Sequence, residues 1–140
     1  MARIFLRDAS VCYETSVRSV FLTRRGTLSY TLYMDATIHA ELHKLKELII
    51  AAIPVEQIYL FGSHAYGNPG KDADIDLYVV LKDDIPMRDI DAGLQIRFAI
   101  DRKKSMPVDI VAKKKKDFAR SLDDMTLERK VKRDGICIYG

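Results

Sequence analysis

Apolar residues recur along the chain with two distinct periods. Between Asp35 and Pro54, the residues Ile38, Leu42, Leu45, Leu48, Ile49 and Ala52 share one helical face, while His39, Glu41, Lys44 and Lys46 fall elsewhere. Asp35 suits an N-cap, and Pro54 stops the helix. Ile58–Phe61 is a short apolar strand cut off by Gly62-Ser63. A turn or small helix follows over His64–Tyr66, and Gly67–Gly70 is loop. From Asp74 to Leu81 the period becomes two: Ile75, Leu77 and Val79 face one way, and Asp74, Asp76, Tyr78 and Val80 the other. Lys82–Asp84 turns the chain, and Pro86 fits the first turn of a helix running to about Asp101. Val108–Ala112 is a third strand. A helix then runs from about Asp117 to Lys132 with a break near Asp123-Asp124, and Ile136–Tyr139 closes the chain as a strand after Gly135. The order α, β, β, α, β, α, β predicts a mixed α/β (α+β) fold, with helices packed on a small sheet.

Composition narrows the class. The chain has 140 residues, 48% hydrophobic and 31% charged, which suits one globular domain. The longest apolar run, Leu48–Ile53, is too short to span a membrane. Beyond Ile4–Leu6 the N-terminus has no apolar stretch for a secretory signal. Cys12 and Cys137 are too few and too far apart in sequence to suggest a disulfide framework or zinc site, so the expected compartment is a reducing cytoplasm.

The net charge of +3 lies in residues 1–33, where Arg3, Arg7, Arg18, Arg24 and Arg25 outnumber Asp8 and Glu14. The remaining residues are balanced, so nucleic acid is not expected as a stable partner. Residues 1–33 therefore divide from a domain at 34–140. They fit a targeting peptide, a basic extension or a stretch upstream of a start at Met34. Thr27–Tyr33 alternates weakly, as a hairpin strand would.

Three features carry chemistry. Asp74 and Asp76, two apart on a strand, project from one face, and such paired anions are costly unless a cation joins them. Hard oxygen ligands suit Mg²⁺ or Mn²⁺ rather than Zn²⁺; the alternative is a solvated acidic face. Asp109, inside the β-branched run Val108–Val111, requires solvent or a partner, and beside the Asp74 strand it would complete a trio of carboxylates. Gly62-Ser63, directly after a strand, could let backbone N–H groups and a hydroxyl cradle phosphate; a plain loop is the alternative.

The string LFGSHAYGNPGKDADIDLYVVL over Leu60–Leu81, with Asp109 on a later strand and the closing Gly135–Gly140, resembles the nucleotidyltransferase superfamily that includes DNA polymerase beta. It is most similar to the minimal nucleotidyltransferases, many of them antitoxins of HEPN–MNT pairs. The resemblance covers about Asp35–Gly140. The family often has Arg where His64 stands and Ser where Ala73 stands. The resemblance implies a polymerase-beta-like fold in which Gly62 and Ser63 hold the β- and γ-phosphates of ATP or another nucleoside triphosphate. It implies that Asp74 and Asp76 bridge two Mg²⁺ ions, while Asp109 binds the metal nearer the acceptor and helps deprotonate the attacking hydroxyl. The activity implied is transfer of NMP, AMP by family precedent, to a hydroxyl on a HEPN-type partner, within a homo- or hetero-oligomer. The alternatives are a catalytically silent module that neutralises a partner by occlusion, and transfer to a small molecule such as an aminoglycoside.

Other features read as bland. His39 and His43 share a helix face but lack a third ligand, which gives surface histidines. Lys113–Lys116 reads as a solvated turn and Lys71 as a loop lysine. Tyr66 either stacks on a base or covers the core. Cys137 reads as a buried small apolar residue.

Overall fold

The alternating strand is the axis of the molecule. The computed structural model describes residues 36–67, 69–70 and 72–140. The expectations for residues 1–33, for a start at Met34, for an Asp35 cap and for Lys71 lie outside that set. The described elements are α1 (Ala36–Ala52), β1 (Val55–Phe61), α2 (Ser63–Tyr66), β2 (Ile75–Leu81), α3 (Asp89–Asp101), β3 (Val108–Lys114), α4 (Lys115–Arg120), a 3₁₀ turn (Ser121–Asp123), α5 (Leu127–Asp134) and β4 (Ile136–Tyr139). The sheet order is β3-β2-β1-β4. β1 runs antiparallel to both β2 and β4, while β2 and β3 are parallel and joined by the α3 crossover. This is the mixed α/β architecture expected.

Both sheet faces are covered. Ile75, Leu77, Val79 and Leu81 join a core with Leu42, Leu45 and Ile49 of α1 and Ala92, Ile96 and Ile100 of α3. On the other face, Tyr59, Tyr78 and Val80 meet Phe118 of α4 and Val131 of α5. The Tyr59 and Phe118 rings stack with centroids 5.9 Å apart, and those of Tyr78 and Phe118 are 5.3 Å apart.

Several expectations need correction. β1 starts at Val55, three residues before the apolar run. Pro86 precedes α3 rather than lying in its first turn. Lys113 and Lys114 are not a turn: they finish β3, and Lys115 and Lys116 open α4. Glu41, which the periodicity sets off the apolar face of α1, is nevertheless buried. It accepts hydrogen bonds from the backbone N–H and hydroxyl of Ser105 and pairs with Lys44, which offsets the cost of burying it. Cys137 is half-buried rather than fully buried, and Cys12 lies outside the described residues. The break near Asp123-Asp124 is present as the 3₁₀ turn ahead of α5, whose N-cap Thr126 accepts from the Arg129 N–H. No described helix is long and apolar enough to cross a membrane.

Candidate functional site

The site is built where β1 ends beside the start of β2. Phe61 pairs with Asp76 across the antiparallel ladder, so the residue after Phe61, Gly62, lies directly over the Asp76 side chain. A Cβ on Gly62 would come within 2.1 Å of Asp76 Oδ2. Gly62 also has φ 75°, a left-handed value that disfavours a side chain. Two constraints therefore require glycine here: the backbone must turn sharply, and a carboxylate must pack against it. α2 follows at once, with the Ala65 and Tyr66 N–H groups donating to the Gly62 carbonyl at 3.0 and 3.1 Å. Gly67, φ 80°, closes the turn with its N–H on the Ser63 carbonyl. Ser63 is half-buried at the head of this turn, two residues beyond the Phe61–Asp76 pair that ends the ladder.

β2 begins at Ile75, so Asp74 sits one residue ahead of the strand and Asp76 inside it. Asp109 is the register partner of Asp76 across the parallel pair. Residues paired this way project from the same sheet face, on strands about 4.8 Å apart. The structure therefore brings Asp76 and Asp109 together, with Asp74 two residues back on the same side. Asp74 and Asp109 are exposed and Asp76 is half-buried. Among the described residues, no group of three or more His, Cys, Asp or Glu side chains is placed so that it could hold a metal ion as it stands.

The electrostatics follow from this arrangement. Burial pushes the Asp76 carboxyl above its usual range, and the negative charges of Asp109 and Asp74 push it further, opposed by His64. Carboxylate oxygens are the hard donors that Mg²⁺ and Mn²⁺ prefer, so the three aspartates suit either ion by their chemistry rather than by their present placement.

His64 ties two parts of the site together. Its Nε2 lies 3.1 Å from the Ala73 carbonyl, joining the Gly62-Ser63 turn to the residue before Asp74. Beneath the carboxylates, Tyr78 donates to Glu128 Oε1 at 2.8 Å, and Lys113 Nζ sits 2.9 Å from the same oxygen. Burial raises the Tyr78 pKa, and the Glu128 carboxylate raises it further. Burial alone would raise Glu128, but hydrogen bonds from Lys113 and Tyr78 hold its pKa below the usual value. The sequence alternation had placed Tyr78 on this face. It held no signal for Glu128, which is 50 residues away.

The remaining candidates are peripheral. Tyr66 packs against the core, with Lys130 Nζ 4.9 Å from its ring centroid. His43 is exposed and His39 half-buried, with the pKa of His39 lowered by burial. Lys115 pairs with Glu56 at 2.9 Å.

Comparison with known proteins places this geometry. No curated protein matches the chain. A crystal structure of a "putative nucleotidyltransferase" from Sulfolobus solfataricus is similar, with TM-score 0.51 and 19% identity over 78% of this chain and 85% of that one. That likeness is one of fold. The model of the family described as polymerase beta, nucleotidyltransferase matches residues 43–140, which include the Gly62-Ser63 turn and all three aspartates. With well over half of its length inside that match, the chain belongs to the polymerase-beta-like nucleotidyltransferase family.

Proposed function

We propose that the chain transfers an NMP group, AMP in the first instance, from a nucleoside triphosphate to a hydroxyl on a HEPN-type protein partner, acting as an antitoxin. The observation that carries the chemistry is the cross-strand pairing of Asp76 with Asp109, beside Asp74 and under the Gly62 turn. Asp74, Asp76 and Asp109 would hold two Mg²⁺ or Mn²⁺ ions. When bound, these ions supply charge neutralisation for the attacking and leaving oxygens. Gly62 lets the backbone approach the β- and γ-phosphates, and the Ser63 hydroxyl donates to them. The acceptor oxygen bonds to the α-phosphorus, the bond to the β-phosphate bridge breaks, and pyrophosphate leaves. Asp109 takes the hydroxyl proton. The chain's contribution is position and charge, since phosphoryl chemistry asks for little else.

The test is incubation with labelled ATP, Mg²⁺ and a candidate HEPN partner. Label on the partner, lost with Asp76→Asn, supports the proposal. Tight binding without label favours occlusion. Label appearing only on an aminoglycoside favours the small-molecule acceptor.

A further inference from the structure

The inner side of α3 is buried against the core through Ala92, Ile96 and Ile100. Its outer side is apolar too. Ile90 is 65% exposed, Leu94 46% and Phe98 81%. Spaced by four, they form one continuous stripe about 12 Å long. A groove of about 270 Å³ runs alongside, lined by Leu94, Phe98 and Val108 and flanked by Arg97 and Lys104. Single exposed apolar side chains are ordinary on a protein surface, but an uninterrupted row with an adjoining groove marks a contact surface.

We propose that this row is a self-association surface, through which two copies of the chain pair α3 against α3 in antiparallel fashion. Leu94 then lies on the two-fold axis, and Ile90 of each copy meets Phe98 of the other. Charge selects a second copy as the occupant. The start of the helix carries Asp89 and Asp91 against Arg88. Its end and the residues after it carry Arg97, Arg102, Lys103 and Lys104 against Asp101. Antiparallel pairing sets the acidic end of one copy against the basic end of the other and opposes the two helix dipoles. One patch thereby complements itself, which a two-fold interface requires. Arg97 is already fixed, its guanidinium donating to the Ile110 carbonyl at 2.7 Å, so little ordering remains to be done there. α3 covers the sheet face opposite Asp76 and Asp109, so pairing leaves both carboxylate clusters open. A contact this narrow belongs to the small, reversible class of interfaces.

The test is sedimentation of the full chain across the micromolar range. A monomer–dimer equilibrium is expected, and Phe98→Glu should weaken it at least about tenfold while leaving thermal melting of a dilute sample unchanged. Phe98 is so exposed that the variant should fold. Under mild oxidation Leu94→Cys should give a covalent dimer beyond any formed by the parent chain, whereas Lys82→Cys should not. A parent that stays monomeric throughout overturns the proposal, including the case where residues 1–35 or another protein cover the stripe. A Phe98→Glu chain that dimerises like the parent also overturns it, as does a Leu94→Cys dimer no more abundant than that of Lys82→Cys.

Discussion

The two faces of β2 are built from alternate residues of one seven-residue strand, yet they solve different problems. The face of Ile75, Leu77, Val79 and Leu81 is apolar throughout and sealed by α1 and α3. The opposite face begins with carboxylates, passes to Tyr78 and its Glu128–Lys113 network, and ends in Val80. The first face serves stability. The second grades from charge at its open end to packing at its closed end, so that like charges are held close without unfolding the sheet. A period of two lets one strand serve both purposes with little conflict.

That contrast can be broken from either side. The largest effect is expected from Asp76→Asn. It should lower nucleotidyl transfer by at least about a thousandfold, roughly 4 kcal/mol of transition-state stabilisation, while leaving the thermal midpoint nearly unchanged. Assay of labelled product alongside a melting curve checks both halves. Ile96→Ala, on the helix sealing the other face, should do the reverse. Ile96 is fully buried, and removing it should cost about 2–5 kcal/mol in urea unfolding while the folded fraction keeps its transfer rate.

Gly62→Ala tests the hinge between the faces. Its Cβ would meet Asp76 Oδ2 at a left-handed φ, so Asp76 must move. A loss of about a hundredfold in activity and about 1–3 kcal/mol in stability is expected from paired kinetic and unfolding measurements. The smallest effect should come from Glu128→Gln, about 1–3 kcal/mol, because Lys113 is partly solvated. Its pH signature is specific. The native Glu128 pKa is depressed, so the stability it contributes is present above its unfolded value and lost as pH falls through the folded one. Melting curves of the parent and Glu128→Gln chains should therefore converge on acidification.

The sequence disclosed elements whose signals are local. The helix before Pro54, the alternation of β2 and the Gly62-Ser63 break are each written within a few consecutive residues. Where partners are distant, the sequence misled. Glu41 lies among polar positions of α1 but is buried, because Ser105, 64 residues on, supplies its hydrogen bonds. Lys113 looks like part of a solvated run, yet it extends β3 because Glu128 neutralises it from α5. The aspartates could be singled out by type and spacing. Their convergence depended on a register that no single segment encodes: Asp76 against Asp109 across a parallel pair joined by a crossover helix.

The sheet order has one more consequence. Among the described strands, β3 lies at an edge and β2 in the interior, so the acidic cluster straddles a seam between a weakly and a strongly supported strand. Any ion shared by Asp109 and Asp76 stitches that seam. Loading with magnesium should thus slow amide deuterium uptake along Val108–Lys114 far more than along Ile75–Leu81, making the edge strand a reporter of site occupancy.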